Sequence, residues 1–151
     1  MKKIAIFPGS FDPYTKGHHD IVLRSLNLFD EVIIGIGYNS AKKNRYFDIE
    51  TIVSKIEELY KGDPRVSVLV YNDLTSTIAK QHGANFLVRG LRNTTDFEYE
   101  NTISQMNRKL NPDLETVFLI TSPQYATVSS TIIREVHRYG GNVSDYLPYE
   151  V

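Results

Sequence analysis

The chain contains no cysteine, which excludes disulfide staples, thiolate catalysis and cysteine-bound zinc. It carries almost no net charge: 17 Lys and Arg against 18 Asp and Glu leave −1. No general basic field therefore draws it to nucleic acid, and an anion must be met by a local cluster. No apolar run approaches the ~18 residues of a membrane span. Ahead of Pro8-Gly9 the apolar run is only four residues, Ile4–Phe7, too short for the ~7–15-residue apolar region of a secretory leader. The expectation is a cytoplasmic protein with no nucleic-acid or membrane partner. Several functional signatures are missing as well. There is no Gly-x4-Gly-Lys-Ser/Thr loop. Gly35-Ile36-Gly37 lacks the third glycine of a dinucleotide fingerprint and sits inside a strand pattern. Ser10 is not in a Gly-x-Ser-x-Gly elbow. His18 and His19 are neighbours that diverge by ~100° on a helix, and no histidine or carboxylate group has zinc spacing, so no protein-bound metal is expected.

What the 151 residues do offer is alternation, with 41% hydrophobic residues to build a core. Apolar strand-like runs at Ile4–Phe7, Val32–Tyr38, Val66–Tyr71, Phe86–Arg89 and Thr116–Thr121 are separated by amphipathic stretches. These cover His18–Phe29, Ile49–Leu59 behind an Asp48 cap, Leu74–His82 ahead of Gly83, Asp96–Leu110 and Ser129–Tyr139. A β-α unit repeated in this way needs crossover helices and hence a parallel sheet covered on both faces. The pattern predicts an α/β fold over residues 1–151 as one domain: a doubly wound, Rossmann-like, five-stranded parallel sheet with strand order 3-2-1-4-5. Ligands of such sheets lie beyond the carboxyl ends of the strands, at the point where strand order reverses. The loops that follow the strands are therefore the informative ones.

The first loop, Pro8-Gly9-Ser10-Phe11-Asp12-Pro13-Tyr14-Thr15-Lys16-Gly17-His18, joins a strand to a helix. Its glycines allow close approach to a phosphate, and His18 at the helix N-terminus, neutral or protonated, can donate a hydrogen bond to phosphoryl charge. A Gly-His pair alone would be an ordinary polar helix start; Thr15-x-Gly17-His18 in this strand–loop–helix context is more specific. The second loop carries Lys42, Lys43 and Arg45, either a solvated tip or a reach for an acceptor phosphate. Arg89-Gly90-Leu91-Arg92 ends the fourth strand. A guanidinium on a buried strand needs an anion, either a carboxylate such as Asp96 or Glu98 or a polyphosphate; a structural pair can account for one arginine but is not expected for both. The last loop, Thr127-Val128-Ser129-Ser130-Thr131, offers more hydroxyls than one helix cap requires, with Arg134 one turn later on the same face.

Thr15-x-Gly17-His18 resembles the signature of the nucleotidyltransferase superfamily. Over nearly its whole length the chain resembles the bacterial phosphopantetheine adenylyltransferases, through Pro8–Pro13, Val88-Arg89-Gly90-Leu91-Arg92, Asp96-Phe97-Glu98-Tyr99-Glu100, Met106-Asn107, Glu115–Leu119, Val128–Thr131 and Asp145–Pro148. The resemblance implies adenylyl transfer from ATP to 4′-phosphopantetheine, giving dephospho-coenzyme A and pyrophosphate, with Mg2+ carried by the ATP phosphates and a homohexameric assembly. It implies catalytic roles for His18, Lys42 and Ser10. ATP would be contacted by Ser10, Phe11, His18, Gly90, Leu91, Arg92, Glu100, Tyr125, Ala126, Thr127, Val128, Ser129, Ser130 and Thr131, and the acceptor by Ser10, Lys42, Leu74, Thr75 and Arg89. Ser10 stands where many members carry threonine and keeps the hydroxyl. The same Gly-His loop would also serve a nicotinamide-mononucleotide adenylyltransferase or a CTP-using relative, and a non-catalytic nucleotide-binding regulator could share the fold.

Overall fold

The computed structural model describes residues 1–39, 41 and 44–151. The elements run β1 (Ile4–Gly9), α1 (Lys16–Ser25), β2 (Glu31–Gly37), α2 (Ile49–Leu59), β3 (Val66–Tyr71), α3 (Thr75–Gln81), β4 (Phe86–Leu91), α4 (Thr94–Leu110), β5 (Glu115–Ile120) and α5 (Ser130–Arg138), with single 3-10 turns at Pro123–Tyr125 and Ser144–Tyr146. The strands form one sheet in the order β3-β2-β1-β4-β5, all neighbours parallel, as the alternation predicts. No helix among the described residues is long and apolar enough to cross a membrane.

The period of two along each strand divides the core between the sheet's faces. Ala5, Phe7, Val32, Ile34, Ile36 and Val88 pack with Ile21 and Val22 of α1 and Ile52 and Ile56 of α2. Ile6, Ile33 and Leu87 point the other way, onto Ile78 and Ala79 of α3 and onto Leu114. A smaller cluster of Ile133, Val143 and Leu147 seats α5 on the C-terminal segment, and Tyr149 touches both this cluster and the main core.

The crevice comes from the way β1 and β4 part. β1 follows β2 from Ile4↔Glu31 to Gly9↔Ile36, and β4 follows β5 from Phe86↔Glu115 to Leu91↔Ile120. Between β1 and β4 the pairing stops after Ala5↔Phe86 and Ile6↔Leu87, so the two central strands open toward their carboxyl ends.

That opening explains why β1 continues through Pro8, where the sequence suggests a stop at Phe7. The Pro8 carbonyl faces β4, where the ladder has already ended, and accepts from the Arg89 guanidinium instead. The missing proline N–H therefore forfeits no ladder bond.

Other boundaries move for reasons of capping. Thr15 caps α1, its hydroxyl accepting from the His18 N–H, so the helix starts at Lys16 and His18 is its third residue rather than its first. Leu26 caps it before the expected end at Phe29. Asn93 caps α4 through the Asp96 N–H and starts it at Thr94. Asp48 caps α2, and Gly83 after α3 takes φ +66°, both as read from the sequence.

Candidate active site

A cavity of about 420 Å3 fills the opening between β1 and β4. Its walls come from the first loop, the start of α1, the end of β4 and the start of α5. His18 stands in it with defined chemistry. Its Nδ1 accepts the Thr15 backbone N–H at 2.9 Å, and the Thr15 hydroxyl lies 3.2 Å from the same nitrogen. An amide can only donate, so Nδ1 carries the lone pair and Nε2 carries the proton. Phe11 packs edge-on to the ring at 4.9 Å between centroids, with Phe7 at 5.9 Å. Burial, then the positive charges of Arg89 and Arg92, lower the imidazole pKa to about 3. The sequence left open whether the imidazole is neutral or protonated; in the ligand-free site it is neutral, with an N–H donor held at a fixed angle.

Both arginines of Arg89-Gly90-Leu91-Arg92 are paired with carboxylates, which corrects the expectation that a structural pair would account for only one. Arg89 forks onto Glu100, Nε to Oε2 at 2.8 Å and Nη2 to Oε1 at 2.5 Å. Glu100 is the buried residue of α4. Arg92 forks onto Asp96 at 3.0 and 3.3 Å, and its own amide donates to the same carboxylate at 2.9 Å. Burial pushes the Asp96 carboxyl up; the bonds from Arg92 and the nearby guanidinium charges outweigh it and hold the pKa below the usual range. Glu98, the other partner considered, is exposed. The physical reason is helical spacing: with α4 starting at Thr94, Asp96 and Glu100 lie one turn apart on the face beside β4.

Of the residues implied for ATP, Ser10, Phe11, His18, Gly90, Arg92, Glu100, Tyr125, Val128, Ser129, Ser130 and Thr131 line this cavity, and Arg89 does too. Leu91, Ala126 and Thr127 do not. Leu91 is the last residue of β4, and Ala126 and Thr127 turn outward to solvent after the 3-10 turn. Gly90 lies against α1: a Cβ there would stand 3.2 Å from Ile21 Cγ1. Ser129 caps α5, leaving Ser130 and Thr131 in the helix's first turn, where backbone N–H groups gather.

A second cavity, of about 250 Å3, lies on the other side of Arg89 and Ser10, between α3 and α4. Of the residues that the resemblance implies for the acceptor, Thr75, Ser10 and Arg89 line it; Leu74, the cap residue before α3, is 57% exposed and does not. Its apolar walls are Tyr71, Leu87, Tyr99 and Ile103, with Ser104 and Asn107 as polar contacts. Tyr99, Ile103 and Asn107 were given no site role by sequence reasoning, although their spacing of four along a helix was visible. Lys42 lies outside the described residues. Ser10 borders both cavities and a third, open one of about 490 Å3 toward Arg45 and Arg134.

The sequence profile of the cytidylyltransferase-like family matches residues 6–136. The chain is 62% identical over 151 residues to the phosphopantetheine adenylyltransferase of Cytophaga hutchinsonii, covering 100% of both chains. It is 50% identical to that of Bacteroides thetaiotaomicron over 98% of this chain and 96% of the other. Among solved structures, a bifunctional NMN adenylyltransferase/ADP ribose pyrophosphatase from Francisella tularensis superposes with a TM-score of 0.69 at 19% identity, over 100% of this chain and 46% of that one. That likeness carries the fold alone. The full-length identities, the profile match and the parallel sheet agree, and the chain belongs to the phosphopantetheine adenylyltransferase family of nucleotidyltransferases.

Proposed function

We propose that this protein transfers an adenylyl group from ATP to 4′-phosphopantetheine. An acceptor phosphate oxygen attacks the α-phosphorus in line; the bond from that phosphorus to the bridging oxygen breaks, and pyrophosphate leaves. The observation that carries the reading is the pair of cavities joined at Ser10 and Arg89. One is polar, with the neutral His18 Nε2–H, Arg92 and the first turn of α5; the other is walled by Tyr71, Leu87, Tyr99 and Ile103. The first suits a triphosphate, and the second suits a flexible arm of methyls and amides whose phosphate ends at the junction. Positioning and charge stabilisation supply the catalysis, and no covalent enzyme intermediate is needed.

His18 donates to charge developing on the α-phosphate. Arg92 and the α5 N-terminus hold the pyrophosphate. Lys42 and Ser10 orient the incoming phosphate. We assign magnesium to the triphosphate, where it neutralises phosphate charge. Among the described residues no three of His, Cys, Asp and Glu stand together as a cage, and magnesium commonly takes its ligands from substrate phosphates and water.

The homohexamer is part of the same proposal. Tyr99, Ile103, Met106 and Leu110 leave an apolar stripe exposed along α4, the kind of surface that association covers. Light scattering at micromolar concentration tests it, and a monomeric mass overturns it.

The reaction is tested by incubating the protein with magnesium-ATP and either 4′-phosphopantetheine or nicotinamide mononucleotide and identifying products by mass. Dephospho-coenzyme A is expected. A dinucleotide formed only from nicotinamide mononucleotide would overturn the acceptor while leaving the role of His18 intact.

A further inference from the structure

The first loop is held from outside by its carbonyls. Arg89 takes that of Pro8. Arg45 takes those of Ser10 and Phe11, one with each terminal nitrogen. Arg134 takes that of Asp12 at 2.6 Å. The Ser130 hydroxyl takes that of Pro13 at 2.8 Å, and the Tyr149 hydroxyl that of Tyr14 at 2.7 Å. The donors come from β4, the loop before α2, α5 and the C-terminal segment, so the loop is fixed by most of the fold. The segment before α2 is tied back in turn, since the Asp12 carboxylate accepts the amides of Tyr46 at 2.9 Å and Phe47 at 2.7 Å.

Arg45 and Arg134 stand out among these donors. Neither lines the cavity that holds His18; both face the third cavity, on the far side of the loop. Arg45 commits its fork to two successive carbonyls and leaves its buried Nε without a partner among the described residues. Phe11 has φ +45°, a left-handed conformation that an aromatic residue keeps only where its surroundings impose it.

A trans peptide is planar, and its N–H points opposite to its C=O. Drawing the carbonyls of Ser10 and Phe11 toward Arg45 turns the amides of Phe11 and Asp12 the other way. Those two amides donate to no described residue. We propose that Arg45 and Arg134 are positioning residues for adenylyl transfer: they clamp peptide units 10–13 from outside the crevice, and so hold the Phe11 amide and the Ser10 hydroxyl in register with the donor of His18.

The kinetic consequence rests on the adenylyl-transfer reading; the mechanical one does not. The test therefore has two readouts on wild type, Arg45→Lys, Arg45→Gln and Arg134→Gln. The first is the amide order parameters of residues 10–12 by NMR, without ligands. The second is kcat and KM for each substrate, well below the melting temperature of each variant. A lysine keeps the charge but cannot bridge two carbonyls. The expected result is that all three variants loosen residues 10–12 and lose about ten- to a hundredfold in kcat with little change in KM, since small displacements of reacting groups are costly. Arg45→Lys is expected to behave like Arg45→Gln and to remain folded if the glutamine variant does not. Wild-type kcat in Arg45→Lys would show that only charge matters, and unchanged order parameters would show that the loop is held without the clamp; either result overturns the proposal. If the wild type forms no dephospho-coenzyme A, the functional reading fails, and the order parameters still decide for or against the clamp.

Discussion

The two cavities that meet at Ser10 are prepared for their ligands in opposite ways. In the His18 cavity the empty site is filled by internal partners. Glu100 occupies Arg89, Asp96 occupies Arg92, and the Thr15 amide occupies Nδ1 of His18. Each charged or polar group is already held near a working geometry, and a triphosphate would exchange with the Asp96 carboxylate that imitates it on Arg92. The cavity beside α4 shares the Arg89–Glu100 pair at its edge and has the Tyr71–Thr75 hydroxyl pair, but no other charged group among the described residues. Its remaining walls are side chains such as Tyr99 and Ile103, 67% and 38% exposed, and on the proposed reading it would bind by shape. Losses on the first side should therefore fall on kcat and on stability, and losses on the second on KM for the acceptor.

The largest expected effect is on the polar side. His18→Ala is expected to lower kcat by about 10²–10³ with little change in ATP affinity, because a donor aimed at transition-state charge is lost. Steady-state kinetics beside ATP titration check this; near-normal turnover would remove His18 from the chemistry. The same residue gives a pH signature. Its folded-state pKa of about 3 lies below the ordinary 6.5, so the unfolded chain binds a proton that the native site refuses. The stability it contributes is whole above about pH 6.5 and declines as pH falls toward 3, by less than about 1.4 kcal/mol per pH unit for this half-buried ring. Urea unfolding of wild type and His18→Gln from pH 7 to pH 4 should show the wild type losing more.

How legible each side was follows the same division. The strand order, the Asp48 and Gly83 caps and the loop around His18 were readable because each depends on local pattern: period two, a cap residue, a turn. Asp96 was among the carboxylates named, but Glu100 as the partner of Arg89, and the pairing of both arginines, were missed because they depend on where α4 begins. An Asn93 cap shifts the start by two residues from the Asp96 expectation and decides which carboxylates face β4. Leu74 stands outside the cavity for a related reason: it is the exposed residue before α3, and the helix brings Thr75 into the cavity. Tyr99 and Ile103 were invisible as site residues because an apolar residue on a helix reads as core until its neighbours in space are known.

The next largest effect separates the two ion pairs. Glu100 is buried and Arg89 half-buried, whereas Asp96 and Arg92 are closer to solvent. Arg89→Ala strands a buried carboxylate and should cost about 2–3 kcal/mol of stability besides raising the acceptor KM. Adding Glu100→Gln should return part of that stability. Denaturant unfolding of the single and double variants measures it, and equal losses in both would mean that the buried charge is not what hurts.

On the apolar side a smaller and differently placed effect is expected. Ile103→Ala removes part of a half-exposed wall and should raise the acceptor KM by about three- to tenfold, with kcat and the ATP KM little changed. A fall in kcat of the same size would show that this wall also orients the reacting phosphate and would blur the division between the two sides.

The smallest effect is the most specific to the idea of internal partners. If Asp96 occupies Arg92 only while the nucleotide is absent, ATP must displace it, and Asp96→Asn should make binding tighter. Pairs as exposed as this one contribute about 0–1 kcal/mol, so the gain in ATP affinity is limited to about two- to fivefold, and it should shrink as salt screens the pair. The same substitution removes an acidic residue from the first turn of α4, where the helix dipole favours negative charge by about 0.3–1 kcal/mol. Stability and affinity should thus move in opposite directions: a slightly lower melting temperature for the free protein, and a lower Kd for ATP by calorimetry at low salt. A mutation that merely damages the site would move both the same way. Weaker ATP binding in Asp96→Asn would mean that the carboxylate works with the nucleotide rather than in its place, and the polar cavity would then owe its order to the ligand more than to its own charges.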